Sequence, residues 1–401
     1  MFNMTTASIS RPLPVIVTAI AIIFALRVFG FMAVLPLLMV HGQQYAGATT
    51  ALLGCAIGVY GLTQAMMQMV MGALSDRIGR HTVVILGLVL LMFGSYLAAH
   101  ANSVYTLIAG RALQGTGAIG STLMALLSDW VPEAHRGKSM ACGGVGVGGA
   151  FWLSVILGPV LWPHLGLSGL FNLMTVLGGL AILILIICVP RSSIDPPQQP
   201  IWVSWWHVVQ RPLLRYFDGG VACLHAIFTL TFAFLPEVFG SGHRLETQAM
   251  WTFMLPGLLG SLFISFPCIA WAERHCKLQR AIVYGAVALG AASLVWAGFW
   301  HYWSLACVAL VLFLSGFNIL EALLMSGVSR VVDRSERGVA LGVYSTSQFL
   351  GVFMGGALGG VIKSFFDLTG VFCFNFGLVC LLGLCLWGIH CQSGLRMSSR
   401  P

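Results

Sequence analysis

The chain has 401 residues, of which 58% are hydrophobic and 8% are charged, and its mean hydropathy is +0.92. A soluble globular protein carries about a quarter charged residues, so this composition excludes that class and indicates an integral membrane protein. The net charge of +8 would favour a nucleic-acid partner in a soluble chain. In a membrane chain its meaning depends on where the basic residues lie.

Apolar runs separated by short polar segments recur along the whole chain. Each has roughly the 20 residues that a helix needs to cross the bilayer core. The first run is about twice as long as the apolar part of a secretory signal, and no small-residue cleavage site follows it. We therefore predict an all-α integral membrane fold with twelve transmembrane helices, at 13–40, 47–72, 82–100, 103–127, 138–162, 166–189, 214–239, 247–272, 281–299, 302–329, 338–362 and 368–390.

The basic residues lie mainly on one side of the predicted membrane. If both termini are cytoplasmic, sixteen of the 20 Lys and Arg residues fall in cytoplasmic segments, against two, Arg244 and Lys363, on the opposite side. Such a bias is typical of cytoplasmic loops. We therefore predict a multi-pass protein of the bacterial inner membrane with both termini cytoplasmic, its basic charge near lipid headgroups, and no nucleic-acid partner.

The residue patterns of enzymes and metalloproteins are missing from the sequence. The eleven cysteines are scattered, mostly inside predicted spans, with no spacing of a disulfide framework or a metal site. No nucleotide-binding glycine loop occurs, and nothing nucleophilic stands beside a base. We expect no cofactor, no metal and no enzymatic activity.

The two halves of the chain resemble each other at an offset near 200 residues. The matched pairs are Pro36 with Pro236, Asp76-Arg77 with Glu273-Arg274, and Arg136-Gly137 with Arg337-Gly338. We predict two parallel six-helix pseudo-repeats, residues 1–189 and 214–401, the second ending in a short cytoplasmic tail. Residues 190–213 are predicted to be a cytoplasmic linker, whose Trp202, Trp205 and Trp206 suit an amphipathic segment at the membrane interface.

The most informative stretch is the charged turn Gly72–His81 between the second and third predicted spans. It resembles the signature loop of the major facilitator superfamily, through Gly72, Asp76, Arg77, Gly79 and Arg80, although His81 stands where that family usually has lysine or arginine. The same residues would also suit an ordinary positive-inside loop. The resemblance implies two six-helix halves around a substrate site near mid-membrane.

Two further stretches resemble motifs of drug:proton antiporters in this superfamily. Arg111–Ala118 is similar to their fourth-helix motif, and Ser154, Gly158 and Pro159 are similar to their fifth-helix motif, without its later glycine pair. In the stretches 60–64, 111–129 and 316–360 above all, and over nearly its whole length, the chain resembles the YajR-like transporters of this superfamily.

The resemblance assigns a conformational role to the charged turn. In the family the loop aspartate lies close to the start of the eleventh helix, where the helix dipole favours an anion. In the family an arginine of the same loop, here Arg80, meets an acidic residue at the end of the fourth helix, here Asp129. The predicted latch, which closes the cytoplasmic side and breaks when it opens, comprises Gly72, Asp76, Arg77, Gly79, Arg80 and Asp129.

Four ionisable groups stand out inside predicted spans, where each costs several kcal/mol unless it has a partner or faces water. They are Arg27, Arg111, His225 and Glu321, and we predict that they take part in proton coupling. Glu321 is the leading candidate, because leucines surround it and removal from water disfavours the charged carboxylate. Histidine titrates near neutral pH, and the resemblance gives Arg111 a part in proton movement. Each group could instead be a satisfied packing residue.

Polar and aromatic residues at helical spacing indicate a cavity wall with few polar groups, as a lipophilic substrate requires. The candidates share helix faces at i, i+3, i+4, i+7 or i+8 positions. The alternative is that their amides join helices to one another. They are Tyr60, Gln64, Gln68, Gln114, Asn318, Met325, Tyr344 and Gln348.

These features predict a proton-coupled secondary active antiporter that exports small lipophilic or cationic compounds by alternating access. The expected partners are the substrate, protons and membrane lipid, with the chain acting as a monomer. One alternative is an exporter of an endogenous metabolite such as a siderophore, a sugar or an amino acid. A second alternative, from another class, is a receptor or scaffold that does not transport.

Overall fold

A computed structural model of the chain describes residues 12–131, 133–191, 201–241, 247–275, 277–333 and 336–398. These ranges form thirteen α-helices and two short 3-10 helices, Gly42–Gln44 and Thr247–Met250. The α-helices, numbered α1 to α13 in chain order, are Leu13–His41, Thr50–Ile78, Arg80–Ala99, Val104–Thr116, Gly120–Trp130, Glu133–Cys188, Ile201–Val209, Pro212–Ser241, Trp251–Arg274, Leu278–Phe299, Trp303–Val331, Arg337–Phe365 and Leu368–Ser398.

The helices account for twelve membrane crossings, as predicted. In the described ranges ten helices are long and apolar enough to cross a membrane. Helices α4 and α5 are each too short to cross the membrane alone, but together they form one further crossing. Helix α6 holds two crossings rather than one. The predicted all-α twelve-helix fold is confirmed.

The two crossings within α6 are separated by a reversal at Gly166, whose φ of 62° and ψ of −176° are not helical. A left-handed φ favours glycine. Before the reversal, Gly158 packs on Ala33 of α1, and after it Met174 packs on Gly30 of the same helix. The chain therefore returns along α1, at the boundary predicted between 162 and 166.

The predicted fourth span is two helices rather than one. Helix α4 ends at Thr116, and α5 begins at Gly120. Between them the backbone of Gly117 lies so close to the Gly87 carbonyl oxygen of α3 that a Cβ atom at Gly117 would overlap that oxygen. The crossing predicted at 103–127 is therefore present, but a break of three residues divides its helix.

The two halves meet tightly along α2 and α12. A Cβ added at Gly54 would lie 2.5 Å from the Gly356 carbonyl oxygen, and one at Gly58 would lie 2.7 Å from that of Phe353. Only glycine permits this approach of two backbones. The contact continues to Gln68, whose Nε2 donates to Ser345 Oγ at 3.4 Å.

The opposite end of the α2–α12 pair is more open. We define the motif end as the end of the helices that carries Asp76 and Arg80. Towards this end, a Cβ added at Gly338 or Gly342 of α12 would meet no atom within 4 Å. The described contact between the halves is therefore concentrated away from the motif end.

Part of the predicted linker is the short helix α7, Ile201–Val209. Its Trp206 is 60% exposed, Trp205 is half-buried, and the side chain of Trp202 lies outside the described residues. Just after α7, Arg211 Nη2 forms an ion pair of 2.7 Å with Glu336 Oε2, next to the start of α12. The domain boundaries at 189 and 213 remain a prediction.

Candidate functional site

Three helices of the second half bring predicted residues together. Gln348 Nε2 of α12 donates to Glu321 Oε1 of α11 at 2.9 Å and lies 3.5 Å from His225 Nε2 of α8. His225 Nε2 lies 3.9 Å from Glu321 Oε2. We call Glu321, Gln348 and His225 the carboxylate cluster. It contains two groups that titrate and one amide that contacts both.

The cluster retains unused hydrogen-bonding capacity. Within the described structure, Glu321 Oε2 is buried without a hydrogen-bond partner. The imidazole packs on Phe317, with ring centroids 5.8 Å apart, and its Nδ1 lies 3.2 Å from the Val221 carbonyl oxygen. This carbonyl can only accept, so it favours a proton on Nδ1 and leaves Nε2 directed at the carboxylate and amide.

Tyr344 and Asp218 extend the cluster along α12 and α8. Tyr344 is 1% exposed, and its hydroxyl has no partner among the described residues. It precedes Gln348 by four residues and therefore shares its face of α12. Sequence reasoning missed Asp218, although it precedes His225 by seven residues and therefore shares its helix face.

Two other cavity candidates of the second half, Asn318 and Met325, make no described hydrogen bond to the cluster. Asn318 Nδ2 donates to Ser261 Oγ of α9 at 3.4 Å, which joins two helices as the alternative interpretation proposes. Met325 is 43% exposed.

Arg111 is held by two hydrogen bonds and two aromatic rings in the first half. Its Nε donates to the Ala56 carbonyl oxygen at 3.2 Å, and Nη1 donates to Gln114 Oε1 at 2.8 Å. The guanidinium also lies 4.8 Å from the ring centre of Tyr60 and 5.3 Å from that of Phe31. These contacts place Arg111, Gln114 and Tyr60 in one buried network between α1, α2 and α4.

Arg27, Gln64 and Gln68 are also buried, but many of their polar atoms lack partners. In the described part of the chain, Arg27 Nε and Nη2, both amide atoms of Gln64, and Gln68 Oε1 make no hydrogen bond. These three side chains are 8%, 0% and 3% exposed. Arg27 and Gln68 both lie beside Gly120, the first residue of α5.

The charged turn forms a compact ion-pair cluster within the first half. Arg80 Nη1 lies 2.7 Å from Asp76 Oδ1, and its Nε lies 3.0 Å from Asp129 Oδ2. Gly79 turns the chain with a φ of 95°. Among the described residues, no hydrogen bond or ion pair joins Asp76 to α12, so the expected approach to the eleventh helix is not seen.

The remaining motif residues have local roles in packing and exposure. Gly72 lies beside Ser121 of α5, and Arg77 is exposed. Ser154 Oγ donates to the Phe151 carbonyl oxygen of its own helix at 2.6 Å. Gly158, followed by Pro159, packs α6 on α1.

Twelve crossings, two halves in contact along glycine-rich helices, and ionisable groups buried within spans define a multi-pass membrane transporter. Residues 17–356 and 246–390 match the family model described as Major Facilitator Superfamily. The chain belongs to that superfamily, as the sequence motifs predicted, and it is a transporter rather than an enzyme.

Known relatives agree with this assignment. The chain is 40% identical to the inner membrane transport protein YajR of Escherichia coli, over 87% of this chain and 78% of the relative. It is 25% identical to the multidrug resistance protein MdtH of Proteus mirabilis, over 83% and 82%. The fold matches a crystal structure of an autoinhibited peptide transporter of the POT family, with a TM-score of 0.73, 13% identity, and 97% of each chain covered.

Proposed function

We propose that the protein is a proton-coupled antiporter that exports small, largely apolar compounds by alternating access. The carboxylate cluster carries this proposal, because it places two titratable groups within 3.9 Å in the membrane interior. The relative from Proteus mirabilis is named a multidrug resistance protein, which supports lipophilic compounds as the substrate class.

Proton binding would act by changing the charge of the cluster. The charged form of Glu321 accepts the hydrogen bond from Gln348, and His225 can supply a counter-charge when protonated. A carboxylate inside the membrane favours a state in which water or a partner reaches it. Protonation removes that requirement, so one cavity orientation gains population over the other.

Helix α12 would carry this change to the contact between the halves. It holds Gln348 in the cluster, and its glycine-rich part packs on α2. Loss or gain of charge at Glu321 therefore acts on the helix that also forms the interface. We propose that the halves rock about this contact and that the cavity opens and closes at the motif end.

The charged turn would then act as the latch of the closed state. Arg80 holds Asp76 and Asp129 together, so the acidic side chains stay fixed at the motif end. On closure, Asp76 would reach the N-terminus of α12, whose partial positive charge stabilises an anion. The proposal places the motif end in the cytoplasm, in agreement with the basic residues predicted there.

Liposomes containing a trapped pH-sensitive dye test the proposal. A proton gradient is imposed, and lipophilic cations, neutral compounds and carboxylates are added in turn. Substrate-dependent proton flux is expected in the natural protein and should disappear in Glu321→Gln. Glu273→Gln is the matched control, because this carboxylate is about half exposed and its ion-pair partner is Arg330, outside the cluster. Equal driven flux in Glu321→Gln would reject the coupling site.

Export of an endogenous metabolite is the second candidate. The buried and unpartnered polar atoms of Arg27, Gln64 and Gln68 favour it, since a wall for purely lipophilic compounds does not need them. Absence of proton flux with every compound would instead direct the search to metabolites or to facilitated, uncoupled transport.

A further inference from the structure

The break in the fourth crossing places the N-terminus of a helix, α5, inside the membrane. The N-cap residue of α5, Ile119, provides no side-chain acceptor to the first turn. Leu123 is the first residue of α5 whose N–H reaches a backbone carbonyl, that of Ile119 at 2.9 Å. Among the described contacts, the N–H groups of 120–122 have no such partner. They carry the partial positive charge of a helix N-terminus.

Arg27 adds a full positive charge at the same place. Its Nη1 lies 3.7 Å from the position that a Cβ atom on Gly120 would occupy. The side chain is 8% exposed, and in the described ranges it makes no hydrogen bond or ion pair. The described acidic residues of the predicted latch, Asp76 and Asp129, are held by Arg80 at the motif end. An unpaired cation inside a membrane is costly, so this position favours a negatively charged group.

Two glutamines add neutral donors. Gln68 Nε2 lies 3.5 Å from the same position beside Gly120. Gln64, one helical turn earlier on the same face, is 0% exposed, and neither of its amide atoms has a described partner. Buried water can satisfy an amide, but it does not neutralise the charge of Arg27.

The surroundings favour an organic anion over an inorganic one. Phe31 follows Arg27 by one helical turn, and its ring stacks on Tyr60 with centroids 4.3 Å apart. Gln68 also reaches Ser345 on α12, so the polar cluster lies where the two halves meet. A compound bound there would place its charge at Arg27 beside an aromatic, apolar wall.

We infer that Arg27, Gln64, Gln68 and the N-terminus of α5 form an anion site that binds the carboxylate group of an organic substrate. The inference rests on the proposed transport function and narrows its substrate class. It differs from the sequence-based expectation of cationic compounds. It also gives Arg27 a role in substrate binding instead of the predicted role in proton coupling.

The test measures thermal unfolding of the purified full-length protein in detergent with benzoate, 2-naphthoate and decanoate, each against its primary amide. A ligand that binds the folded protein raises the midpoint. Each carboxylate that fits the site should raise it by about 2 °C or more, and its amide should not. Arg27→Gln should remove this difference.

Gly120→Ala provides a second variant that preserves the fold. The added methyl group would make ordinary contacts, 3.5 Å from Gln68 Nε2 and 3.7 Å from Arg27 Nη1, while filling the place of the anion. It should reduce the carboxylate effect without lowering the midpoint of the ligand-free protein. If Arg27→Gln does not fold, Gly120→Ala decides the question.

Three results would overturn the inference. The first is equal stabilisation by acid and amide across the panel, and the second is a full carboxylate effect in Arg27→Gln or Gly120→Ala. The third is equal stabilisation by sodium sulfate, which would mean that the site does not select an organic anion. Glu321→Gln should retain the carboxylate effect. If it does so while liposomes show no driven proton flux, the anion site stands and proton coupling fails.

Discussion

Glu321 and Gln348 are joined by a 2.9 Å hydrogen bond in which the amide of α12 donates to the carboxylate of α11. A hydrogen bond to a charged group contributes more than one between neutral groups. The bond therefore depends on the charge of Glu321, and a proton on this oxygen weakens it. The packing between α11 and α12 becomes sensitive to protonation through this one contact.

Replacing Gln348 with methionine should weaken coupling without removing the proton site. The variant loses the donor to Glu321 and keeps the side-chain length, so we expect driven proton flux to fall several-fold rather than vanish. Thr346→Val is the matched control on α12, because Thr346 donates only to Gly342 of its own helix. Unchanged flux in Gln348→Met, measured in the dye-loaded liposomes, would contradict a role for the amide.

Asp76→Asn should slow turnover with little change in apparent substrate affinity. The Asp76–Arg80 pair is partly exposed, and exposed pairs contribute about 0–1 kcal/mol to stability, so the fold should survive. The substitution would instead destabilise the closed state that we propose. The measurement compares kcat and KM for transport, with Glu273→Gln as control. A large rise in KM with normal kcat would place Asp76 in substrate binding.

Gly54→Ala should destabilise the contact between the halves. The new Cβ would lie 2.5 Å from the Gly356 carbonyl oxygen and 2.6 Å from Gly360 Cα. Overpacking of this kind costs about 1–3 kcal/mol. The thermal midpoint in detergent should fall, whereas Gly377→Ala, where no atom lies within 4 Å, should leave it unchanged or slightly higher. Equal midpoints for both variants would mean that α2 and α12 separate at little cost.

Arg111→Lys should lower stability although it preserves the charge. A lysine cannot reach the Ala56 carbonyl and Gln114 together as the guanidinium does. Loss of one hydrogen bond to a charged group costs about 1.5–3 kcal/mol. Arg77→Lys, at an exposed position, should have no such effect on the thermal midpoint. A stable Arg111→Lys variant that loses transport would instead support the family's assignment of Arg111 to proton movement.

Much of the fold could be predicted from sequence, because hydropathy and charged turns record where a chain crosses a membrane. The resemblance to the major facilitator superfamily, rather than any spacing, indicated the contact between Arg80 and Asp129 that the structure contains. The break at 117–119 could not be found this way, since its residues are apolar and leave the hydropathy of the span unchanged. It arises from the packing of Gly117 against Gly87.

The candidate site was only partly accessible from sequence. Ionisable groups inside spans identified Glu321 and His225, and helical spacing identified Gln348. Their meeting depends on how three helices pack. Asp218 was missed because an aspartate in the first turns of a span resembles an interfacial residue. Both Arg27 and Arg111 fall inside predicted spans, and only the structure shows that Arg111 donates two hydrogen bonds while Nε and Nη2 of Arg27 have no described partner.

The position of Glu336 has a consequence for the genetics of this transporter. It ties the start of α12 to Arg211, beside the short helix α7, while the far part of the same helix packs on α2 through its glycines. One continuous helix thus links the inter-half segment, the carboxylate cluster and the interface. Second-site suppressors of a slow Asp76 variant should therefore arise along the length of α12 and at Arg211, far from the substituted loop.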